Sequence, residues 1–195
     1  MVLANLPRLC VFFQTSIVES RALAMSWIYV CNLVEMPDHA EALKVSHLVS
    51  LVSPDEQPKT PACIALECHH RVGIHDISEP LDGHILPAEE HVEGLIDFVR
   101  AWRHDEAPIL IHCVAGISRS MAAALITLVI KAPGRELDAA RHLRSAAPHA
   151  YPNRRMIAVA DQLLGCEGRL VAAREAMGPA NLLPFGPLVC LPLLR

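Results

Sequence analysis

The sequence predicts one α/β domain, with a central and mostly parallel sheet flanked by helices. Short apolar segments of strand length alternate along the chain with segments of helix length, and Pro or Gly residues separate them. The 195 residues suffice for one domain with a full core, rather than for two. Apolar residues make up 52% and charged residues 19% of the chain, a composition typical of globular rather than disordered proteins.

Five predicted strands are short apolar runs that end at turn residues or prolines. They are residues 27–31, 47–53, 62–66, 71–74 and 109–112. Three prolines between residues 54 and 61 predict a loop between the second and third strands. Because helical segments separate several of these strands, the centre of the sheet is predicted to be parallel.

Six predicted helices combine apolar residues at helical spacing with start and stop signals. They span about residues 38–44, 87–102, 118–130, 136–147, 152–163 and 167–177. Pro87 and Pro152 are placed to begin two of them, and Gly134 and Gly165 follow the ends of two. Residues 121–130 are apolar nearly all round, which predicts that this helix is the buried, central one.

The two ends of the chain fall outside this pattern. Residues 1–24 are expected to be an N-terminal extension that is not essential, and residues 25–177 to be the domain itself. Residues 178–195 carry four prolines among leucines and are expected to form an irregular tail that covers an apolar patch or attaches to a partner. No segment reaches the ~18 apolar residues that span a bilayer, so no membrane association is expected.

Charge and cysteine content limit the classes of function. The net charge is −4 and no basic run is present, which argues against a nucleic-acid-binding surface. The seven cysteines include no C-x-x-C pair, as expected for a chain in a reducing, cytoplasmic setting. Cys68, His69, His70 and His75 lack sustained ligand spacing, so neither a metal nor another cofactor is expected. The oligomeric state stays open.

The most informative stretch covers residues 109–120 and reads ILIHCVAGISRS. A short apolar strand ends at His112, a loop begins at Cys113, and an apolar helix begins near Ser118. A strand–loop–helix junction directs backbone N–H groups and a helix N-terminus at one point. The stretch therefore predicts an anion-binding site.

Three residues of this loop suit phosphate chemistry. Gly116 permits backbone φ values that let the loop curl around a tetrahedral anion, and Arg119 offers a planar fork for two phosphate oxygens. These donors favour the thiolate form of Cys113, which is then a nucleophile aimed at phosphorus. A Cys-x5-Arg spacing alone arises readily by chance, but here it lies between a clear strand and a clear helix.

Residues 112–120 resemble the phosphate-binding loop of the cysteine-dependent protein tyrosine and dual-specificity phosphatases. The wider stretch from about residue 25 to residue 177 is similar to small bacterial proteins of tyrosine-phosphatase type. The resemblance implies the phosphotyrosine protein phosphatase-like fold. It also implies a phosphomonoester hydrolase that works through a phosphocysteine without a cofactor, on phosphotyrosine in proteins, with phosphoserine, phosphothreonine and small phosphomonoesters also open.

The resemblance further implies roles for the residues of the loop. The side chain of Arg119 and the backbone N–H groups would hold the phosphate. The loop residues expected to bind substrate are His112, Val114, Ala115, Gly116, Ile117, Ser118 and Arg119. Ser120 would donate a hydrogen bond to the Cys113 thiolate, and His112 would help to set the loop from behind.

In the resembled family a general-acid Asp lies on a loop upstream of the Cys, and Asp76 fits that arrangement. It would protonate the leaving oxygen and then activate the water that frees the cysteine. Glu79 and Asp82 on the same polar loop are the alternatives. Asn153, after Pro152, resembles an Asn that steadies the phosphate loop, and a helix cap is its alternative role.

The loop lacks the lysines that inositol-lipid phosphatases of this superfamily tend to carry, since Val114, Ala115 and Ile117 are neutral. A protein substrate and a shallow, dual-specificity-type pocket are therefore expected. Two other classes of function stay open. One is a pseudophosphatase that binds phosphorylated partners without turnover, and the other is rhodanese-like sulfur chemistry, which requires no general-acid Asp.

Overall fold

The structure, a computed structural model, describes residues 27–103, 107–181 and 183–194. The expected N-terminal extension of residues 1–24 lies outside the described residues. A five-stranded sheet forms the centre of the described part, with strand order β3-β2-β4-β1-β5. The strands are β1 (Trp27–Asn32), β2 (His47–Val52), β3 (His69–Gly73), β4 (Ile109–Cys113) and β5 (Val189–Pro192).

Helices cover both faces of the sheet. They are α1 (Met36–Ala42), α2 (Glu89–Ala101), α3 (Arg119–Lys131), α4 (Glu136–Ala146), α5 (Arg154–Leu163) and α6 (Arg169–Ala176). Successive side chains of a strand point to opposite faces, so Ile28 and Val30 join a large core with α2 to α6, while Tyr29 and Cys31 join a smaller one with α1. The predicted α/β architecture is therefore confirmed.

Four parallel strands direct their carboxyl ends to one edge of the sheet. β4 lies between β1 and β2 and is parallel to both, and β2 is parallel to β3. In this register Cys113 at the end of β4 is level with Asn32 at the end of β1. The loops after β1, β3 and β4 consequently meet at the edge where an open α/β sheet binds its ligands.

Helix α3 is the central helix, as its apolar sequence predicts. Every residue from Arg119 to Val129 is buried. Its residues include three consecutive alanines, Ala122 to Ala124, which let neighbouring helices and the sheet approach closely. The tight packing fixes the first turn of α3, and therefore also Arg119 and Ser120.

The strand predicted at residues 62–66 is wrong. Residues 62–64 form a turn and a bend, and a short 3-10 helix follows at Leu66–Cys68. The Ile64 N–H donates to the Pro61 carbonyl at 3.0 Å, so the chain turns at the point where a strand was expected. Only Ile64 of this apolar run is buried, and Leu66 is 74% exposed. A short apolar run does not by itself distinguish a strand from a packed turn.

The expectation of an irregular C-terminal tail is wrong for residues 189–192. These residues form β5, which pairs antiparallel with β1, from Val30 opposite Val189 to Trp27 opposite Pro192. Val189 and Leu191 are buried in the large core. Pro192 has no N–H to donate and lies on an edge strand, where proline is tolerated. The C-terminal segment therefore belongs to the sheet.

All but one of the described cysteines are free thiols. The described cysteines 31, 63, 68, 113 and 166 are free thiols, whereas Cys190 is disulfide-bonded, so the reducing setting stays a prediction.

Within the described ranges, no helix has the length and apolar character needed to cross a bilayer.

Candidate active site

The loop between β4 and α3 is held in place by neighbouring segments, which donate hydrogen bonds to its carbonyl groups. Four of these carbonyls accept hydrogen bonds from backbone N–H groups of neighbouring segments. The pairs are Val114 with Leu33 (3.1 Å), Ala115 with Gly186 (2.8 Å), Ile117 with Tyr151 (2.9 Å) and Ser118 with Asn153 (3.3 Å). Because the carbonyls are turned outward, the N–H groups of the same peptides point to the inside of the loop, where that of Gly116 donates to the Cys113 Sγ. Such a ring of N–H groups binds anions.

Gly116 shapes the loop at its tightest point. Its φ is +73°, a conformation that side chains with a Cβ rarely adopt. An added Cβ would also lie 2.9 Å from the backbone C and O atoms of Cys31 in β1. The sequence prediction that this loop needs glycine here agrees with both observations.

Cys113 lies at the bottom of the loop and is 1% exposed. Its Sγ is 3.2 Å from the Gly116 N–H, which donates to it, and 3.2 Å from the Ser120 hydroxyl. Ser120 is fully buried in the first turn of α3, so its hydroxyl is fixed beside the sulfur. An N–H group and a hydroxyl at this distance can stabilise negative charge on the sulfur.

Arg119 is buried and anchored, yet part of its guanidinium is free. The Nη1 group donates to the Ile74 carbonyl at 2.8 Å, which fixes the plane of the fork. Nε is buried without a hydrogen-bond partner and lies 4.0 Å from Oδ2 of Asp76. A buried, unsatisfied cationic donor is costly, and an anion in the loop would satisfy it.

Asp76 is the acidic residue that the structure brings to the loop. Its Oδ1 accepts from the Ser118 hydroxyl at 2.6 Å and from the Asn153 amide at 2.9 Å. Its side chain is still 38% exposed, so it is accessible from solvent. Among the described residues, no hydrogen bond or ion pair joins the exposed Glu79 and Asp82 to the loop. The geometry therefore favours Asp76 over these two alternatives.

Asn153 combines both of the roles that the sequence leaves open. Its Oδ1 accepts from the Met156 N–H at 3.1 Å and so caps α5. Its Nδ2 donates to Asp76 and, at 3.2 Å, to the Ile77 carbonyl. Its backbone N–H holds the Ser118 carbonyl. Asn153 thus links the loop that carries Asp76 to the loop that carries Cys113.

His112 lies behind the loop and is fully buried. Burial is the main reason why the pKa of its ring is lowered to about 4, and nearby His69 and Arg119 lower it further. The ring is therefore neutral at pH 7. Its Nε2 is 2.6 Å from the Ser50 hydroxyl of β2, so the predicted placement at the rear of the loop agrees with the structure.

Sequence reasoning missed the residues that hold the loop from outside. Leu33, Tyr151 and Gly186 act through backbone N–H groups, which leave no side-chain signal in a sequence. Asn32 was missed as well. Its amide donates to the Gly186 carbonyl at 3.3 Å and to Glu35 Oε2 at 3.0 Å.

We expect Gly186→Ala to weaken the loop. The added Cβ would lie 2.7 Å from His149 Nε2 and 2.9 Å from the Gly116 carbonyl, so Gly186 must move away from Ala115. Losing that hydrogen bond should reduce affinity for tungstate and turnover of p-nitrophenyl phosphate by roughly 10-fold each. The matched control is Gly94→Ala in α2, where the Cβ approaches only the His70 ring, at 3.3 Å. Equal losses in both variants would contradict a role for Gly186 in the loop.

Comparisons with known proteins agree with this geometry. Residues 82–155, which include the Cys113 loop but not Asp76, match the family model described as protein-tyrosine phosphatase. The fold is similar to that of DUSP15, with a TM-score of 0.57 and 20% identity over 77% of this chain and 89% of that one. A search of curated protein sequences found no significant match.

Two further solved structures share the fold. The Cydia pomonella PTP-2 phosphatase has a TM-score of 0.56 and 20% identity over 69% of this chain and 84% of that one. The human tyrosine phosphatase-like serine/threonine/tyrosine-interacting protein has a TM-score of 0.55 and 13% identity over 72% and 92%. The family match covers the loop, and the structural matches show the fold around it. Residues 82–155 are thus similar to the protein-tyrosine phosphatase family, and the chain shares its fold with solved phosphatases.

Proposed function

We propose that this protein is a metal-independent phosphomonoester hydrolase that works through a phosphocysteine. One observation carries the proposal: the Cys113 Sγ, 3.2 Å from both the Gly116 N–H and the Ser120 hydroxyl, lies in the loop whose Arg119 Nε has no hydrogen-bond partner. A nucleophile and an unsatisfied phosphate-binding group share one small cradle. Electrostatic stabilisation then comes from the backbone and the guanidinium, without a metal ion.

In the first step the Cys113 thiolate attacks phosphorus. An S–P bond forms as the P–O bond to the leaving alcohol or phenol breaks, and the electron pair of that bond goes to the leaving oxygen. Asp76 donates a proton to this oxygen. The loop N–H groups and Arg119 hold the charge on the three other phosphate oxygens. Oδ1 of Asp76 already accepts two hydrogen bonds, so Oδ2 is the oxygen suited to carry that proton.

In the second step water attacks the phosphocysteine. The Asp76 carboxylate accepts a proton from the water as the new P–O bond forms, and the S–P bond breaks with its electrons returning to Cys113. The Ser120 hydroxyl, 3.2 Å from the sulfur, donates to the departing thiolate. Inorganic phosphate then leaves the loop, and the Asp76 proton is ready for the next cycle.

We propose phosphotyrosine in proteins as the substrate, with phosphoserine and phosphothreonine as further candidates. The neutral Val114, Ala115 and Ile117 in the loop support a protein rather than an inositol-lipid substrate. The exposure of Asp76 supports an open site that accepts more than one phosphoresidue. A cytoplasmic location, which keeps Cys113 reduced, is part of this proposal, as is a catalytic unit of residues 25–177 completed by β5.

The decisive test is the Asp76→Asn variant, assayed with chelator present. We expect kcat on a phosphotyrosine peptide to fall by about 10²–10⁴-fold, because phenol is a poor leaving group without an acid. The loss on p-nitrophenyl phosphate should be smaller, since p-nitrophenolate needs less protonation. Asp82→Asn, which alters an exposed carboxylate on the same loop, is the control and should keep full activity.

Each other outcome would replace the proposal. Unchanged activity in Asp76→Asn would favour sulfur chemistry of the rhodanese type, in which no general acid is needed. A wild-type protein that binds tungstate but hydrolyses neither substrate would be a phosphate-binding module without turnover. Activity that disappears with chelator and returns with a metal ion would overturn the metal-independent mechanism.

A further inference from the structure

A continuous line of hydrogen-bonded side chains connects the rear of the loop to the protein surface. It starts at His112 Nε2, which is 2.6 Å from Ser50 Oγ, and the same Oγ is 2.7 Å from His69 Nε2. On the far side of this ring, His69 Nδ1 is 2.9 Å from Thr60 Oγ1. Thr60 Oγ1 in turn accepts from Arg71 Nη2 at 2.7 Å. None of these four outer residues belongs to the mechanism above.

The two histidine rings of this line are neutral. His112 and Ser50 are fully buried, and His69 is 6% exposed. Burial is the largest cause that lowers the pKa of each ring to about 4, with Arg71 and His70 adding to the effect on His69. A neutral imidazole has one nitrogen that donates and one that accepts. Each ring can therefore pass a hydrogen bond in only one direction.

Arg71 favours one of the two directions. A guanidinium only donates, so Thr60 Oγ1 accepts from Arg71 and its own proton is free for His69 Nδ1. His69 then carries its proton on Nε2 and donates it to Ser50. The single hydroxyl proton of Ser50 is left for His112 Nε2. In the opposite direction the hydroxyl of half-exposed Thr60 would donate to solvent, and His112 Nδ1 would lack the proton that the Cys113 backbone favours.

The contact that one ring nitrogen of His112 makes then determines whether the other nitrogen carries the proton. Because Nε2 accepts from Ser50, the ring proton is on Nδ1. Nδ1 is buried without a hydrogen bond of standard geometry, and the adjacent Cys113 backbone favours a proton on the ring. The direction of hydrogen bonding that begins at Arg71 on the surface thereby extends to His112, next to the Cys113 peptide.

We propose that Arg71, Thr60, His69 and Ser50 are positioning residues that fix His112 in its Nδ1–H tautomer and so orient the Cys113 backbone at the start of the loop. Their effect on turnover rests on the proposed phosphatase function. The tautomer itself does not, since it follows from hydrogen bonds present without substrate.

The first test is nitrogen-15 NMR of the histidine rings at pH 7. In the wild type we expect His112 protonated on Nδ1 and His69 on Nε2. Thr60→Val keeps the shape of the side chain but removes its hydroxyl, so the two rings should lose these fixed tautomers. Thr60→Ser keeps the hydroxyl and should retain them. A wild-type His112 protonated on Nε2 would overturn the proposal, whether or not the protein is a phosphatase.

The second test is steady-state kinetics on a phosphotyrosine peptide. Thr60→Val should lower kcat by about 3- to 10-fold, the cost of one hydrogen bond, with KM within about 2-fold of the wild type. Thr60→Ser should restore kcat. The matched control is Ser46→Ala, which removes another half-buried hydroxyl bonded to an imidazole, the 2.8 Å contact with His47, outside this line. Thr60→Val with wild-type kcat, or with no greater loss than Ser46→Ala, would also overturn the proposal.

Discussion

Cys113→Ser is expected to abolish turnover while the fold and the anion cradle stay in place. In the proposed mechanism the Cys113 sulfur is the nucleophile, and a serine hydroxyl is a far weaker nucleophile without an adjacent base. We expect kcat on p-nitrophenyl phosphate to fall on the order of 10⁴-fold or more. Tungstate should still bind, because the loop N–H groups and Arg119 do not depend on the sulfur. Kinetics and calorimetric titration with tungstate measure the two parts separately.

Two cysteine variants control this result. Cys63→Ser changes an exposed thiol and should leave kcat at the wild-type value. Cys31→Ser changes a buried thiol of β1 whose pKa is raised, mainly by burial, so that thiol stays protonated and inert at neutral pH. Turnover by Cys113→Ser at the wild-type rate would remove Cys113 from the mechanism.

Arg119→Lys is expected to have the next largest effect. Lysine keeps the positive charge but has no planar fork, so it cannot both donate to the Ile74 carbonyl and bind two phosphate oxygens. We expect kcat/KM on a phosphotyrosine peptide to fall by roughly 10²–10³-fold. The loss should appear in kcat as well as KM, because the phosphoryl charge is redistributed in the transition state.

The control for this variant is Arg154→Lys, at the exposed start of α5. This control variant tests the effect of an arginine-to-lysine exchange near the site but outside the phosphate-binding loop. Its kcat/KM should be close to that of the wild type. If Arg119→Lys lost no more activity than this control, the charge of the residue would suffice. The bidentate arrangement would then be the wrong account of phosphate binding.

The loop could be predicted from the sequence because all its parts are local. One short stretch of the sequence contains, in order, the strand, Cys113, Gly116, Arg119 and the apolar helix. A single local pattern therefore contains all the residues of the proposed chemistry in this loop. The general acid could be narrowed to three candidates on one polar loop, and Asp76 is favoured among them by its place after a strand. Choosing among them requires the contacts with Ser118 and Asn153, which only the folded chain shows. The catalytic roles themselves stay predictions.

What the sequence could not show depends on distant backbone pairing. The short C-terminal strand reads as an irregular run of leucine and proline because its partner, β1, lies at the other end of the described chain. The turn at Ile64 reads as a strand because one buried side chain and its apolar neighbours have no distinct period. The line from Arg71 to His112 joins side chains from three strands and a loop, and no spacing in the sequence relates them.

The contact between Gly186 and Ala115 also has a consequence for how the protein comes into being. A ribosome makes the Cys113 loop and α3 well before it reaches Gly186, so the Ala115 carbonyl lacks its partner while the rest of the chain is still being made. A growing chain, or one cut short before β5, has an open sheet edge at β1 and a loop held on fewer sides. The loop therefore gains its support at Ala115 only after Gly186 has been synthesised.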